Sequence, residues 1–262
     1  PVPQSQVLTL AQASPHRRRP RGRVLLGAAA AAGALVAAGV WTHVADSALV
    51  RADPDTAMSA RAEARALAAG QEVFAGHCAA CHGRGGTGAG VVSAPDLTDA
   101  DWLYGDGKVS EIEQVIAYGV RSGYPKGWNL AVMPAFAKGQ GRYKVEALSP
   151  AETRDLVAFL RKAGGRSADG DAAARGESLF GGKGGCFDCH GADAKGDAAI
   201  GAPNLVDAVW LYGGRDEQVF ASIAEGRRGV MPAFAGRLDA LQLRQVSLYV
   251  HSLSDRVREA RR

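Results

Sequence analysis

The chain has 262 residues, 47% of them hydrophobic, and a formal net charge of +4 at pH 7. Five of its arginines lie between Arg17 and Arg23. Removing these five from the 31 basic residues leaves 26 against 27 acidic residues, so the rest of the chain is close to neutral. Nothing in this near-neutral remainder suggests a phosphate-binding surface, so nucleic acid is not an expected partner.

The first predicted element is an apolar helix that follows this basic run. Residues 24–41 (VLLGAAAAAGALVAAGVW) carry no charge over 18 positions, enough at about 1.5 Å per residue to approach the roughly 30 Å of a bilayer core. We predict a transmembrane helix at 24–44, in contact with membrane lipid. The positive-inside rule makes 1–23 a cytoplasmic basic N-terminus and places everything after the helix in the periplasm of a bacterium, anchored to its inner membrane. A cleaved signal peptide ending near residues 45–47 is the alternative.

Two copies of one sequence unit follow a linker predicted at residues 45–66. APDL and APNL begin at positions 94 and 202, WLYG begins at 102 and 210, and MPAFA begins at 133 and 231. The first copy holds ten additional residues near 122–131. The duplication accounts for the length through two small domains, predicted at 67–164 and 175–255 with a linker at 165–174.

Each copy is predicted to begin and end with a helix, which makes the fold class all-α. Gly70 and Phe74 stand four residues apart before the first cysteine pair, and Gly176 and Phe180 repeat this before the second. A glycine and an aromatic ring therefore share one helical face. Residues 149–152 (SPAE) form a capping box at the start of a later helix. We expect the two end helices of each copy to cross, with the glycine allowing close approach.

All four cysteines belong to two copies of the motif C-x-x-C-H. In this motif two thiols bond the vinyl groups of one haem, and the adjacent imidazole reaches the iron from the same side. A disulfide or a zinc ribbon uses the same residue types, but two self-contained copies argue against both. The sequence predicts two covalently bound haem c groups, attached through Cys78, Cys81, Cys186 and Cys189, with His82 and His190 as iron ligands.

The second axial ligand of each iron is predicted to be methionine. Of the three methionines, Met58 lies in the first linker, whereas Met133 and Met231 occupy identical MPAFA contexts. A lone methionine is usually core filler, but the duplicated position favours ligation. Methionine ligation raises the reduction potential and leaves no open site for dioxygen or peroxide. The chain is therefore predicted to transfer electrons and not to be an enzyme by itself.

Further residues are predicted to orient the ligands or to bind the haem propionates. Pro95 and Pro203 each lie 13 residues after their histidine, and their carbonyls are expected to accept the imidazole N–H. Aromatic and arginine side chains are expected to bind propionates, with simple packing on the porphyrin as an equal alternative for the aromatic ones. These residues are Trp102, Tyr104, Trp210, Tyr212, Arg121, and Arg227 or Arg228.

The series C-x-x-C-H-G, A-P-[DN]-L, W-L-Y-G and M-P-A-F resembles class I cytochrome c domains. Two such domains in tandem behind one N-terminal anchor resemble the dihaem subunit III of cbb3-type cytochrome c oxidases, over roughly residues 70–254. The resemblance implies that a cytochrome c or similar donor passes electrons through both haems to the haem-copper subunit of a respiratory oxidase. It implies two ligand sets: Cys78, Cys81, His82 and Met133 for one haem, and Cys186, Cys189, His190 and Met231 for the other.

Three other functions fit part of the pattern. A free-standing anchored dihaem cytochrome would shuttle electrons between a quinol-oxidising complex or periplasmic dehydrogenase and another acceptor. A dihaem peroxidase needs a vacant or displaceable ligand, which conflicts with two matching methionines. A haem-based sensor needs a signalling module, and none is visible in the sequence. The additional residues of the first copy, with Tyr124, Lys126 and Trp128, are predicted to form a docking surface.

Overall fold

The computed structural model describes residues 21–88, 94–139 and 144–260. These residues form nine α-helices, which we number in chain order. They are α1 (Arg21–Arg51), α2 (Ala60–His77), α3 (Ala79–His82), α4 (Val109–Tyr118), α5 (Pro150–Ala163), α6 (Gly170–Gly181), α7 (Phe187–His190), α8 (Asp216–Glu225) and α9 (Ala240–Ala260). The all-α prediction is confirmed for this part of the chain.

Helix α1 contains the apolar segment predicted at 24–44 and continues into the predicted linker. Within the described ranges, no helix combines the length and the hydropathy that a membrane crossing requires. Most of the basic N-terminus predicted at residues 1–23 lies outside the described residues, which begin at Arg21. The chain divides into two compact units between Asp46 and Ser47, and both sequence copies belong to the second unit.

The first core forms where α2 crosses α9. Gly70 of α2 faces the backbone of α9, and a methyl group in its place would overlap the carbonyl oxygen of Gln245 and lie 2.9 Å from Tyr249 Cβ. The missing side chain lets the two helices approach backbone to backbone. The buried residues of the first core come from α2, α4, α9 and the loop before α9: Phe74, Ile112, Ile116, Phe234, Leu238, Val246, Tyr249, Val250 and Leu253.

The second core repeats this arrangement with α5 and α6. Gly176 of α6 lies against the backbone of α5, where a methyl group would overlap the carbonyl oxygen of Asp155 and lie 2.8 Å from Phe159 Cβ. Helix α8 packs on the same pair of helices. The buried residues of the second core are Phe136, Leu148, Leu156, Val157, Leu160, Phe180, Ala194, Val219 and Ile223.

The sequence copies are not the packing units. Helix α2 comes from the first copy and α9 from the second, so the prediction that the end helices of each copy cross is wrong. The reason is the short connection between α5 and α6. Residues 170–174, predicted to belong to a linker, are the first turn of α6, and Asp169 caps that turn by accepting a 2.7 Å hydrogen bond from Ala172 N. Short connections bring consecutive helices together, so α5 packs on α6. Helix α9 packs on α2 instead of on α6.

The predicted capping box at the start of α5 is confirmed. Ser149 Oγ accepts a hydrogen bond from Glu152 N at 3.2 Å, and Glu152 Oε2 accepts one from Ser149 N at 2.7 Å. Two amide groups at the helix N-terminus are thereby satisfied, with Pro150 at the first helical position. This fixes the start of the helix on which the second core is built.

Candidate haem sites

Each C-x-x-C-H motif occupies a single turn of helix. Cys78 is the residue before α3, and His82 N donates a 3.0 Å hydrogen bond to Cys78 O; His190 N and Cys186 O form the same bond at α7. Residues three and four positions apart lie on the same face of a helix. The turn therefore presents two thiols and one imidazole from one side, as attachment to a single macrocycle requires.

All four thiols are free, and the first thiol of each motif is half-buried. Burial, together with the nearby Cys81, raises the pKa of Cys78 to about 11. Burial is also the largest cause that raises the pKa of Cys186 to about 11, and the neighbouring Cys189 and Asp188 raise it further. Each of these thiols packs at the edge of a hydrophobic core, Cys78 on the first and Cys186 on the second.

Both histidines of the motifs are held by a proline carbonyl. The distance from His82 Nδ1 to Pro95 O is 3.2 Å, and that from His190 Nδ1 to Pro203 O is 3.0 Å. The ring N–H at Nδ1 donates, which leaves Nε2 with a lone pair for a metal. Burial lowers the pKa of both imidazoles and so keeps them neutral, while the hydrogen bonds to the prolines act in the opposite direction.

The two methionine loops are exchanged between the sequence copies. Met231 forms two backbone hydrogen bonds with Val120, of 2.9 and 3.0 Å, although the two residues belong to different copies. Met133 forms the equivalent pair with Arg227, both of 3.1 Å. Further along each loop, Phe234 N donates to Ile116 O and Phe136 N donates to Ile223 O, each at 3.1 Å. Each MPAFA segment is therefore fixed against the helix of the other copy.

Two glycines make this exchange possible. Gly119 and Gly226 end α4 and α8 with φ values of 71° and 73°, in the region that glycine adopts most readily. A Cβ at Gly119 would lie 2.8 Å from Ala233 N, and one at Gly226 would lie 2.8 Å from Ala135 N. The close approach leaves no room for a side chain. Our sequence reasoning missed both positions, although each glycine directly follows the hydrophobic pattern of its helix.

The exchange decides which methionine lies near which histidine motif. Met231 packs on the first core together with Cys78 and Trp102. Met133 packs on the second core together with Cys186. The packing favours Met231 for the first motif and Met133 for the second, whereas the resemblance implies Met133 with His82 and Met231 with His190.

The predicted propionate ligands have different surroundings in the two sites. Trp102 Nε1 is buried and has no hydrogen-bond partner in the described part of the chain, whereas Trp210 Nε1 donates to Asp207 O at 3.2 Å. Arg121 Nη1 donates to the Tyr104 hydroxyl at 3.1 Å. The Arg227 guanidinium lies 4.7 Å from the centre of the ring of Tyr212. Arg228, the alternative to Arg227, is exposed.

A cavity of about 1030 Å³ is lined by residues of both sites. The prolines that hold the two histidines, Pro95 and Pro203, and the indoles of Trp102 and Trp210 all lie on its wall. A buried indole N–H without a partner is costly unless a ligand accepts its hydrogen bond. The residues present therefore fit haem: thiols for the vinyl groups, a neutral imidazole for the iron, and a donor positioned for a propionate.

Carboxylates from both sequence copies also line this cavity. Asp96, Asp99 and Asp101 come from the first copy and Asp207 from the second. Burial raises the pKa of Asp99 to about 6, and the neighbouring carboxylates add to the shift. Burial likewise raises the pKa of Asp207, which also shares a hydrogen bond with Asp101. The cavity wall is therefore acidic and partly shielded from water.

One buried charge near the first core was not anticipated from the sequence. Arg244 of α9 is 6% exposed. Its Nε donates to Glu113 Oε2 at 2.6 Å, and its Nη1 donates to the carbonyls of Leu49 and Ala52 at 2.9 and 3.0 Å. The guanidinium therefore joins α9 to α4 and to the segment before α2. A single arginine within a hydrophobic stripe gave no indication of this role.

With two sites that each combine C-x-x-C-H, a neutral buried histidine and a fixed methionine, the molecule is a dihaem c-type cytochrome. Comparison with known proteins supports this class. Residues 67–164 match the family described as cytochrome c, and residues 171–250 match cytochrome C oxidase, cbb3-type, subunit III. The chain is 41% identical over 211 residues to the cbb3-type cytochrome c oxidase subunit FixP of Bradyrhizobium sp. (strain ORS 278), covering 80% of this chain and 67% of the relative.

Two further relatives carry the same kind of name. Identity is 39% over 206 residues to the subunit FixP of Bradyrhizobium diazoefficiens, covering 78% of this chain and 66% of the relative. Identity is 40% over 193 residues to the cbb3-type cytochrome c oxidase subunit CcoP of Rhodobacter capsulatus, covering 71% of this chain and 61% of the relative. The chain belongs to the family of subunit III of cbb3-type cytochrome c oxidases, and it spans about two thirds of the length of these relatives.

Proposed function

We propose that the chain is the electron-input subunit of a cbb3-type haem-copper oxidase, without a substrate site of its own. It receives single electrons from a cytochrome c or a similar donor and passes them to the subunit that reduces dioxygen. Membership of the family supports this proposal, as do the names of its relatives. The observation that carries it is the reciprocal hydrogen bonding of the two methionine loops, with one methionine packed on the core of each histidine motif.

The proposed ligand sets cross between the sequence copies. The first haem is attached through Cys78 and Cys81 with His82 and Met231 as axial ligands. The second is attached through Cys186 and Cys189 with His190 and Met133. Packing of Met231 with Cys78 on the first core, and of Met133 with Cys186 on the second, supports this assignment.

Bound haem supplies a one-electron couple at its iron. The chain supplies the surroundings that restrict the site to this chemistry. Pro95 and Pro203 keep each imidazole in the tautomer that ligates through Nε2. The methionine thioethers would supply a second protein ligand to each iron, which would leave no coordination site for peroxide or dioxygen. A dihaem peroxidase requires such an opening and is therefore disfavoured.

The shared cavity supports transfer between the two sites. Its wall includes Pro95 and Trp102 from one site and Pro203 and Trp210 from the other. The indole N–H of Trp102, which has no partner among the described residues, is a candidate donor to a propionate of a bound haem. The lining of one cavity by both sites supports electron transfer between them.

The proposed location is the periplasmic face of a bacterial inner membrane, with the segment at 24–44 as an anchor in contact with lipid. The uncharged run at 24–41 and the arginines before it support this location. A free-standing anchored cytochrome remains the second candidate. Mild-detergent purification of the full chain from its native membrane distinguishes the two: copurification of a haem-copper subunit is expected, and a lone chain contradicts the oxidase assignment.

The crossed ligand sets are tested in chains that retain one haem. In a Cys78→Ala/Cys81→Ala background the remaining haem is attached at Cys186. There, Met133→Ala is expected to convert the remaining haem to a five-coordinate, high-spin form, and Met231→Ala is expected to leave it six-coordinate. The opposite result in the absorption and magnetic circular dichroism spectra would show that the ligands are not exchanged.

A further inference from the structure

The charges of the haem-binding unit are segregated along its sequence. No acidic residue occurs from Gln114 to Val145 or from Gly226 to Leu238, the two stretches that contain the methionine loops. Five basic residues lie in the first stretch and three in the second. Residues 94–106, on the wall of the shared cavity, show the reverse, with four aspartates and no lysine or arginine. The methionine loops are thus basic and the cavity side is acidic.

The two methionine loops meet at one guanidinium. Arg121 Nε donates to Gly229 O at 2.5 Å, and its Nη1 donates to Ala131 O at 3.0 Å. The residues next to these carbonyls are Leu130 and Val230, each 61% exposed. This apolar pair, one residue from each sequence copy, is thus next in sequence to the two carbonyls that Arg121 joins. Leu130 lies three residues before Met133, and Val230 directly precedes Met231.

Exposed cations lie in the same two loops as this apolar pair. Lys126 is exposed and its Nζ lies 5.4 Å from the centre of the Tyr118 ring, while Arg228 is exposed two residues before Val230. Arg121, a candidate propionate ligand, donates to two carbonyls and a phenol. Among the described residues at these loops, Glu225 pairs with Arg227 at 3.4 Å. The surface keeps a net positive charge.

We propose that Lys126, Leu130, Arg228 and Val230 form a docking face for a redox protein whose acidic rim surrounds an apolar contact. We call it the methionine-loop face; the proposal rests on the proposed electron-transfer function. Apolar centres with polar rims are typical of protein interfaces, and opposite charges accelerate encounter. A partner docked here lies beside the segments that hold both proposed methionine ligands. Electron transfer requires this kind of proximity.

The packing of the aromatic residues favours a protein partner over an anionic lipid surface. Tyrosine and tryptophan are the side chains that enter the headgroup region of membranes. Here Tyr124 stacks on Tyr118 with ring centres 5.4 Å apart, and Trp128 packs on Tyr104 at 5.0 Å. Of the additional residues predicted to form a docking surface, Lys126 and Leu130 therefore belong to the methionine-loop face, and Trp128 does not.

The test measures electron transfer from a reduced, acidic blue-copper protein to the oxidised full chain in detergent. One electron leaves Cu(I) and one ferric haem becomes ferrous. At low ionic strength the double variant Lys126→Glu/Arg228→Glu is expected to lower the bimolecular rate constant about tenfold or more, with the difference disappearing at high salt. Leu130→Ser/Val230→Ser is expected to lower the rate at all salt concentrations and to leave the salt dependence unchanged.

Lys162→Glu is the matched control, because Lys162 is an exposed lysine in the last turn of α5, which contributes no residue to the proposed face. It is expected to leave the rate within about twofold of the unsubstituted chain. An equal loss in Lys162→Glu and in the double variant would overturn the docking face. An unchanged rate in the double variant would overturn it as well.

Two measurements separate failure of this face from failure of the proposed function. At high ionic strength, where charges are screened, the small cationic reductant hexaammineruthenium(II) should reduce the haems of every variant at the same rate. Haems that accept no electron from it contradict the proposed function itself. Nanodiscs with neutral or phosphatidylglycerol-containing lipid test the lipid alternative. If anionic lipid slows the blue-copper reaction and the double variant removes this inhibition, the face lies on the membrane and the protein-docking proposal is wrong.

Discussion

Replacing Gly70 by alanine is expected to destabilise the folded chain, because the new methyl group forces α2 away from α9. Its Cβ would lie 2.7 Å from the carbonyl carbon of Gln245 and 2.9 Å from Tyr249 Cβ. Carbon atoms in contact normally lie about 3.5–4.0 Å apart, so the two helices have to separate by roughly 1 Å. The nearest obstructing atoms belong to backbone, which cannot move aside by a change of rotamer. Overpacking of this kind costs about 1–3 kcal/mol.

The matched control is Gly76→Ala, in the same helix. A Cβ at Gly76 meets nothing within 4 Å. Alanine there raises the helix propensity by up to about 1 kcal/mol without disturbing a contact. Because the gain in helix propensity is common to both positions, the free energies of unfolding of the two variants should differ by the overpacking cost, about 1–3 kcal/mol.

Urea unfolding of the haem-loaded chain in mild detergent, followed by far-ultraviolet circular dichroism, measures this difference. The midpoint should fall for Gly70→Ala and rise or stay constant for Gly76→Ala, at an unchanged slope. Haem absorbance followed in parallel should report the same order, because α2 leads directly into Cys78. A Gly70→Ala chain as stable as the Gly76→Ala chain would refute the close crossing of α2 and α9.

Three further predictions concern single side chains. Trp102→Phe is expected to lower the midpoint potential of one haem, since the indole N–H no longer offsets a propionate charge. Trp210→Phe should change the midpoint potential less, because that indole already donates to Asp207 O. Equal shifts of the two variants in a redox titration would contradict this. Asp99→Asn is expected to stabilise the chain at pH 7 by on the order of 1 kcal/mol after allowing for solvent screening. The pKa of Asp99 in the folded chain, about 6, lies above the usual 3.8, so the destabilisation by its charge is absent below about pH 4 and complete above about pH 6. Urea titrations that give the same stability difference between Asp99→Asn and the unsubstituted chain at pH 4 and pH 7 would refute this. Glu152→Gln is expected to destabilise the chain at pH 7. The hydrogen bond from Lys183 and the backbone bond at Ser149 hold the pKa of Glu152 down to about 2. The stability that the charged carboxylate contributes is therefore present above about pH 4.5 and lost as the pH falls towards 2. A difference in thermal midpoint between Glu152→Gln and the unsubstituted chain that persists at pH 2 would contradict this role of the carboxylate.

Much of the candidate site was predictable because its signals are local. The spacing of Cys78, Cys81 and His82 fits within one helical turn, so short-range geometry alone determines that the three side chains converge. The contact of His82 with Pro95, 13 residues away, follows from a loop closed within one copy. The surroundings of Trp102 and the buried position of Arg244 were less accessible, since both depend on groups distant along the chain.

The sequence by itself determined the helices, the two attachment motifs and the presence of two candidate methionine ligands. It did not show how the two copies combine, and the resemblance implied that each methionine serves the histidine of its own copy. The tertiary structure decided which helices pack together. The short connection between Ala163 and Gly170 brings α5 onto α6, and α9 packs on α2 in the first core, on which Met231 also packs. Local motifs specify chemistry, whereas chain connectivity and the exclusion of overlapping backbones specify which copies combine.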